Sequence, residues 1–453
     1  MIFFQLYRIS LMLLMISVLL SPALAYSPEV GDVPTVTDEV VLQKEPGTFM
    51  EVRHIVVAGT NEEIGSALGK IAQDDYGVSN LSSFSDRLHA DARREYLQRN
   101  APVLYERMLG VASAYGVDPA NTTHDTSGLP YDLGSFACSM IYYPPNTTTA
   151  GHAMACRNMD YYMVPVDVLV CLNTTDEGNA LFSRTYVMEL YPDEGYASLA
   201  VGSMDLMSGV FDGVNSAGLG VATFAVGGFT PSASPLYGGN ASGLNGLQMI
   251  RSVLDQAATV DEAKMIILNS RVYFPVSGMH FMVYDRSGNA SIVEIDPTNG
   301  DVHFTDAADD PFIMTNHAVF RYPDASTFPE VPENKSYNTF HRHLTLADAL
   351  ETHHGLSSPA DAEAALARVY AHADDDSEGA GHPFPIRTLW NVCSDLDNGE
   401  MTVKFYLRDG PLDPATGDPT LVFSEPFTFG LRSGGDLSSP SSGIGWNSVV
   451  PTP

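Results

Sequence analysis

Cys138-Ser139-Met140-Ile141-Tyr142-Tyr143 is followed, after Pro144-Pro145-Asn146-Thr147 and Gly151, by Arg157-Asn158-Met159-Asp160. Prolines, asparagine and glycine are turn formers, and the flanking runs are apolar and aromatic. This spacing predicts an antiparallel hairpin in which residues 140–143 pair with 152–156. Such a hairpin returns Arg157 and Asp160 to the level of Cys138. A thiol, a guanidinium and a carboxylate then meet at one end of a sheet, which supplies a nucleophile, a charge partner and an orienting acid. The local sequence leaves a second reading open: a buried, inert cysteine beside an unrelated ion pair.

Outward from this hairpin, the chain divides by texture. Before it, a strand is expected over 52–57, and Thr60 or Asn61 is placed to cap a following helix. One long helix is expected over 86–115, from the spacing of Leu88, Tyr96, Leu97, Val103, Leu104, Met108, Leu109 and Ala112, with Gly116 as its stop. After Cys138 come short β-rich runs at 183–191, 196–202, 207–212, 218–226, 279–285, 290–295 and 311–316. Helices are expected at 244–256, 260–269, 339–352 and 359–373. A closing strand pair, 388–395 and 401–407, turns at Asp397-Asn398-Gly399. Strands, then helices, then strands again favour an α+β fold with a mainly antiparallel sheet.

The ends read differently. Arg8, an apolar run over 9–20 and Ala23-Leu24-Ala25 have the form of a secretory signal peptide over 1–25, which places the protein outside the cytoplasm. Residues 26–50, rich in Pro, Asp, Glu and Thr, are expected to be a flexible leader. Residues 433–453 are a Ser/Gly/Pro tail of disordered composition. Residues 51–137 form an N-terminal segment and 138–432 the main domain. The net charge of −32 argues against nucleic acid and against anionic lipid as partners, since both need a basic face. No run after the leader is long and apolar enough for a membrane span. Sequons at Asn80, Asn121, Asn146, Asn173, Asn240, Asn289 and Asn334 fit an exported glycoprotein. Of Cys138, Cys156, Cys171 and Cys393, the first expectation for a disulfide is Cys156 with Cys171. Neither Asp374-Asp375-Asp376 nor His341, His343, His353 and His354 has the ligand spacing of a metal site, so no metal is expected.

Several segments carry a family resemblance. Cys138 with Arg157-Asn158-Met159-Asp160 resembles the choloylglycine hydrolase and penicillin V acylase group of N-terminal-nucleophile hydrolases. Val57-Ala58-Gly59-Thr60-Asn61-Glu62-Glu63-Ile64-Gly65, Gly213-Val214-Asn215-Ser216-Ala217-Gly218-Leu219, Thr315-Asn316-His317 and Thr388-Leu389-Trp390-Asn391-Val392 are closer to the acyl-coenzyme A:6-aminopenicillanic acid acyltransferase family. Together they span residues 51–410. The acid ceramidase and N-acylethanolamine amidase branch shares the Arg-Asn-x-Asp run. The resemblance implies an αββα four-layer sandwich, two stacked, mainly antiparallel sheets flanked by helices.

It also implies a chemistry. The precursor would cut itself between Ala137 and Cys138, and residues 51–137 would stay associated as a small subunit. The new α-amine, which titrates near pH ~7.7–8.0 in model peptides, would take the thiol proton and return it to a leaving amine. Asp160 would hold that amine, Arg157 would favour the thiolate, and Asn316 would donate to the reacting carbonyl. No cofactor is required. Two departures stand out. Residues 221–226 lack the oxyanion-hole asparagine of the bile-salt group, so a backbone N–H near Ala225 is expected to serve. Thr339 occupies the place of that group's late arginine, with Arg342 one turn on. Three readings stay open: an amidase or acyltransferase acting on a small acylated amine or amide, a lipid-amide hydrolase, and a secreted non-catalytic homologue that binds a partner.

Overall fold

A computed structural model describes residues 35–84, 86–129, 137–163, 180–203, 205–226, 242–274, 278–329, 338–372 and 385–432. The signal peptide, Cys171, Asn173, Asn240, Asn334, residues 374–376 and the tail at 433–453 lie outside the described residues. Ahead of Cys138 come strands β1 (Thr35–Leu42) and β2 (Glu51–Gly59), then helices α1 (Asn61–Asp74), α2 (Arg87–Asn100) and α3 (Pro102–Ala114). The hairpin β3 (Ala137–Tyr143) and β4 (Met154–Tyr162) follows. A meander then runs through β5 (Arg184–Pro192), β6 (Ser198–Gly202), β7 (Val210–Asn215) and β8 (Leu219–Ala225). Helices α4 (Gly246–Gln256) and α5 (Val260–Asn269) lead to β9 (Met279–Asp285), β10 (Ala290–Ile295), β11 (Val302–Asp306) and β12 (Phe312–Met314). Last come α6 (Thr339–Thr352), α7 (Pro359–Ala367), β13 (Ile386–Asp395), β14 (Glu400–Leu412), β15 (Pro419–Phe423) and β16 (Phe427–Gly430).

Two sheets dominate. The nine-stranded sheet has the order β1-β2-β5-β6-β7-β8-β9-β10-β11, antiparallel except where β2 runs parallel to β5. The seven-stranded sheet has the order β12-β3-β4-β13-β14-β15, with β16 also on β14. Helices α1, α4 and α5 pack against the first sheet, and α6 and α7 against the second. The sheets face each other through a single apolar core that includes Met140, Tyr142, Met159, Phe211, Phe224, Met282 and Trp390. The layers are therefore helix, sheet, sheet, helix, as expected. Alternation along β4 explains the stacking: Ala155, Met159 and Tyr161 enter this inter-sheet core, while Met154 and Cys156 enter a second cluster under α6 and α7.

Three expectations need correction. Residues 35–42 are the edge strand β1, paired along its length with β2, and not part of a flexible leader. Its acidic composition suits an edge, where one side meets water, and Asp38 accepts 2.8 Å from Arg53 Nε. The helix expected over 86–115 is two helices. Pro102 has no N–H for the ladder and sits at the start of α3, while Ala101 (φ −143°, ψ 62°) breaks the run. Cys156 pairs with Cys393, directly opposite it on β13 with Cα atoms 4.1 Å apart, and not with Cys171. Thr60 caps α1 in a reciprocal box with Glu63. α1 then crosses α3 closely enough that a Cβ at Gly65 would lie 2.0 Å from the Arg107 carbonyl oxygen.

Candidate active site

The hairpin places its residues as the spacing predicts. Cys138 lies opposite Met159, Met140 opposite Arg157, and Ala137 opposite Asp160. β12 flanks β3 on its other side, with Met314 opposite Met140, so the chain carries Asn316 to the level of Cys138. On α6, capped by the Asn338 side chain, Arg342, Leu346 and Ala349 form the buried face that lies on the sheet. Cys138, Arg157, Asp160, Asn316 and Arg342 therefore converge although they come from four segments.

Arg157 is fully buried and crosses from one sheet to the other. Its Nη2 donates to Cys138 Sγ at 2.7 Å and to the Thr223 carbonyl at 2.6 Å. Its Nη1 donates to the Phe211 carbonyl at 2.7 Å and pairs with Asp212 Oδ1 at 2.9 Å. The guanidinium also lies 4.6 Å over the Phe224 ring. Burial opposes its charge, but Asp212 and Cys138 outweigh that, and its pKa is raised. Burial pushes the Cys138 thiol up to about 12, against the pull of Arg157. The S–H faces Met159 Sδ at 3.6 Å. At neutral pH the group is a thiol, and its proton has to be handed to a base during any attack.

Asp160 is fully buried. Its Oδ1 accepts from Thr388 Oγ1 at 2.6 Å, and its Oδ2 has no hydrogen-bond partner among the described residues. Burial raises its pKa to about 6, with Arg342, Thr388 and Arg157 working the other way. Thr388 reaches this carboxylate because a bulge between Thr388 and Trp390 re-aims β13 against β4.

Asn316 faces Cys138 with its acceptor. Its Oδ1 accepts from Cys138 N at 2.8 Å and from Arg342 Nη2 at 2.7 Å, and its Nδ2 donates to the Ala225 carbonyl at 2.7 Å. The Ala225 carbonyl takes one of the two N–H donors of that amide. Ala225 meets the site through its carbonyl. Arg342, the candidate one turn beyond Thr339, reaches the nucleophile strand: Nη1 donates to the Cys138 carbonyl and, at 2.8 Å, to Ser139 Oγ. Thr339, one helical turn earlier, accepts from Asn316 N at 2.8 Å. Burial and His343 bring the His317 pKa down to about 3, and its ring packs against Phe328 and Phe340. Asn215 closes the β7–β8 turn, accepting from Ala217 N and Leu219 N, with Gly218 at φ +85°.

Sequence reading missed Asp212, Thr223 and Thr388. Asp212 Oδ2 also accepts from Trp390 Nε1 at 3.1 Å. The available signal was an aspartate at the centre of an otherwise apolar strand, where an acid stays only when paired. Among the described residues, His152, Asp395 and Asp397 lie close enough for one ion, but each already binds within the hairpin turns there. A cavity of about 360 Å³ adjoins that turn and the disulfide and is not lined by Cys138.

Paired sheets flanked by helices, with a cysteine, arginine, aspartate and asparagine gathered at the start of an inner strand, define an αββα protein with a buried polar cluster. The model of one family, "Acyl-coenzyme A:6-aminopenicillanic acid acyl-transferase", matches residues 147–402, more than half of the chain, and this protein belongs to that family. The match covers Arg157, Asp160, Asn316 and Arg342 and begins just beyond Cys138. The layer order is the helix-sheet-sheet-helix sandwich expected from the resemblance. Among solved structures, the chain is similar to a mutant of conjugated bile acid hydrolase from Clostridium perfringens (14% identity, TM-score 0.41, 65% of this chain and 97% of that one). It is also similar to penicillin V acylase from Agrobacterium tumefaciens (17%, 0.41, 63% and 85%). A third is the Caenorhabditis elegans ortholog of N-acylethanolamine-hydrolyzing acid amidase (14%, 0.33, 57% and 93%). No curated protein matches it.

Proposed function

We propose that this protein is an exported, self-processing cysteine hydrolase. It opens a linear amide C–N bond through a thioester and passes the acyl group to water or to an amine. The observation that carries this reading is the buried Asp160, whose Oδ2 has no hydrogen-bond partner among the described residues and whose backbone lies opposite Ala137, at the expected cut. Family membership and the Arg157–Cys138 contact support it.

In the precursor the Cys138 sulfur attacks the Ala137 carbonyl, the C–N bond breaks, and hydrolysis of the resulting thioester leaves Cys138 as a chain terminus. Its α-amine is then held by Asn316 Oδ1 and by Asp160, which supplies the acceptor the cation needs. The amine takes the proton of the thiol as sulfur attacks a substrate amide, and gives it to the departing amine. Arg342 fixes the Cys138 carbonyl, so the nucleophile's backbone does not move as charge shifts. The segment before the cut stays in place, because β1 and β2 belong to the nine-stranded sheet and Arg93 joins it to Gly243, Gln248 and Tyr273. The substrate is a small acylated amine or amide.

Intact-mass spectrometry beside Cys138→Ala tests the reading. Two fragments in the wild type, the larger beginning at Cys138, and one chain in the variant are expected. One uncut chain in both overturns self-processing and favours a binding homologue.

A further inference from the structure

Every acceptor of Arg157 except sulfur lies on the opposite sheet: the Phe211 and Thr223 carbonyls and Asp212. Two of these are backbone atoms that seat the guanidinium whatever stands at position 212, and the Phe224 face is a third support. Asp212 is therefore not needed to hold Arg157 in place. What it adds is a full negative charge 2.9 Å from Nη1, in a core where charges are poorly screened. Asp212 is itself fixed by Trp390 Nε1 and is almost wholly buried. We infer that Asp212 is a tuning residue that balances Arg157 and so keeps Cys138 a protonated thiol until a base takes its proton.

The physical reason is a competition between two anions for one cation. Without Asp212 the sulfur is the nearest group able to balance Arg157, and a thiolate–guanidinium pair forms at lower pH. With Asp212 present the cation is already neutralised, so the proton stays on sulfur and is available for transfer to a leaving amine. A thiol is also less open to oxidation than a thiolate. The other charged groups facing Cys138 are Asp160 on β4 and Arg342 on α6; Tyr284 on β9 is the remaining titratable group near Asp212.

The inference rests on Cys138 being the nucleophile, but the two can fail separately, since thiol ionisation is readable in cut and uncut protein alike. The test is the pH midpoint of thiolate absorbance in the full chain, taken as the difference from Cys138→Ala. Asp212→Asn is expected to move the midpoint down by about one unit or more. Trp390→Phe, which keeps the charge and removes one hydrogen bond, leaves it unchanged. If Asp212→Asn does not fold, the double variant Asp212→Asn/Arg157→Gln removes both charges. Its midpoint should match the wild type, while Arg157→Gln alone moves it up. An unmoved or raised midpoint in folded Asp212→Asn, or a double variant raised as far as Arg157→Gln, overturns the proposal.

Discussion

Two buried aspartates make opposite use of the same interior. Asp255 on α4 accepts from both Nη atoms of Arg107, at 2.9 and 3.1 Å, and from Arg251 Nε at 3.0 Å. Arg107 donates onward to Asn61 Oδ1, and Arg251 to Ser198 Oγ. Burial would raise the Asp255 pKa, but the two arginines overcome it and the pKa is lowered. Asp160 has one hydroxyl on one oxygen, nothing described on the other, and a pKa raised to about 6. The first carboxylate completes a network that fixes α1, α3 and α4. The second is left incomplete at the point where a new cation would appear. Equal burial with unequal satisfaction separates an acid that completes a network from one that keeps an unused acceptor.

Replacing each acid tests the contrast. Asp160→Asn should cut amide turnover by at least about 10²-fold, because the α-amine loses the group that aims it. The thermal midpoint should not fall. Asp255→Asn should cost about 3–5 kcal/mol in denaturant unfolding, because two buried arginines lose their counter-charge. The pH dependence sharpens the same comparison. Asp160 has a folded pKa above its unfolded value, so its stabilisation is complete below about pH 3.9 and is lost as pH rises through about 6. Asp255 has a folded pKa below its unfolded value, so its contribution is present above that value and is lost as pH falls. In an uncleavable Cys138→Ala chain, Asp160→Asn should therefore be more stable at pH 7 by an amount on the order of 2 kcal/mol, fading below about pH 4. The smallest effect is expected from Thr388→Val. It removes the one described hydrogen bond to Asp160 and should raise the acid limb of the pH–activity profile by less than about one unit. A larger loss of activity with no shift would mean that Thr388 acts on the strand and not on the carboxylate.

How much of this was legible follows from sequence distance. The β3–β4 hairpin closes over a few turn residues, so Pro144, Pro145 and Gly151 were enough to place Arg157 and Asp160 beside Cys138. Asn316 and Arg342 lie 178 and 204 residues from Cys138 and were reached only through resemblance; their contacts required the structure. Asp212 and Thr388 were missed because their partners sit on other strands, and Thr388 depends on a bulge that no local pattern announces. Periodicity hid the break at Ala101, since the apolar face continues from Leu97 to Leu104 across it. The disulfide was misread for a related reason. Cys156 meets a residue 237 positions away, and chain proximity to Cys171 carried no weight.

The parallel pairing of β2 with β5 interleaves material from both sides of Cys138 in one sheet. Before a cut, unfolding and refolding are unimolecular. After it, a molecule that opens must find β1 and β2 again as a separate chain, at whatever concentration its surroundings provide. The processed protein would then persist by the slowness of its opening, so its working lifetime would be a rate and not an equilibrium constant.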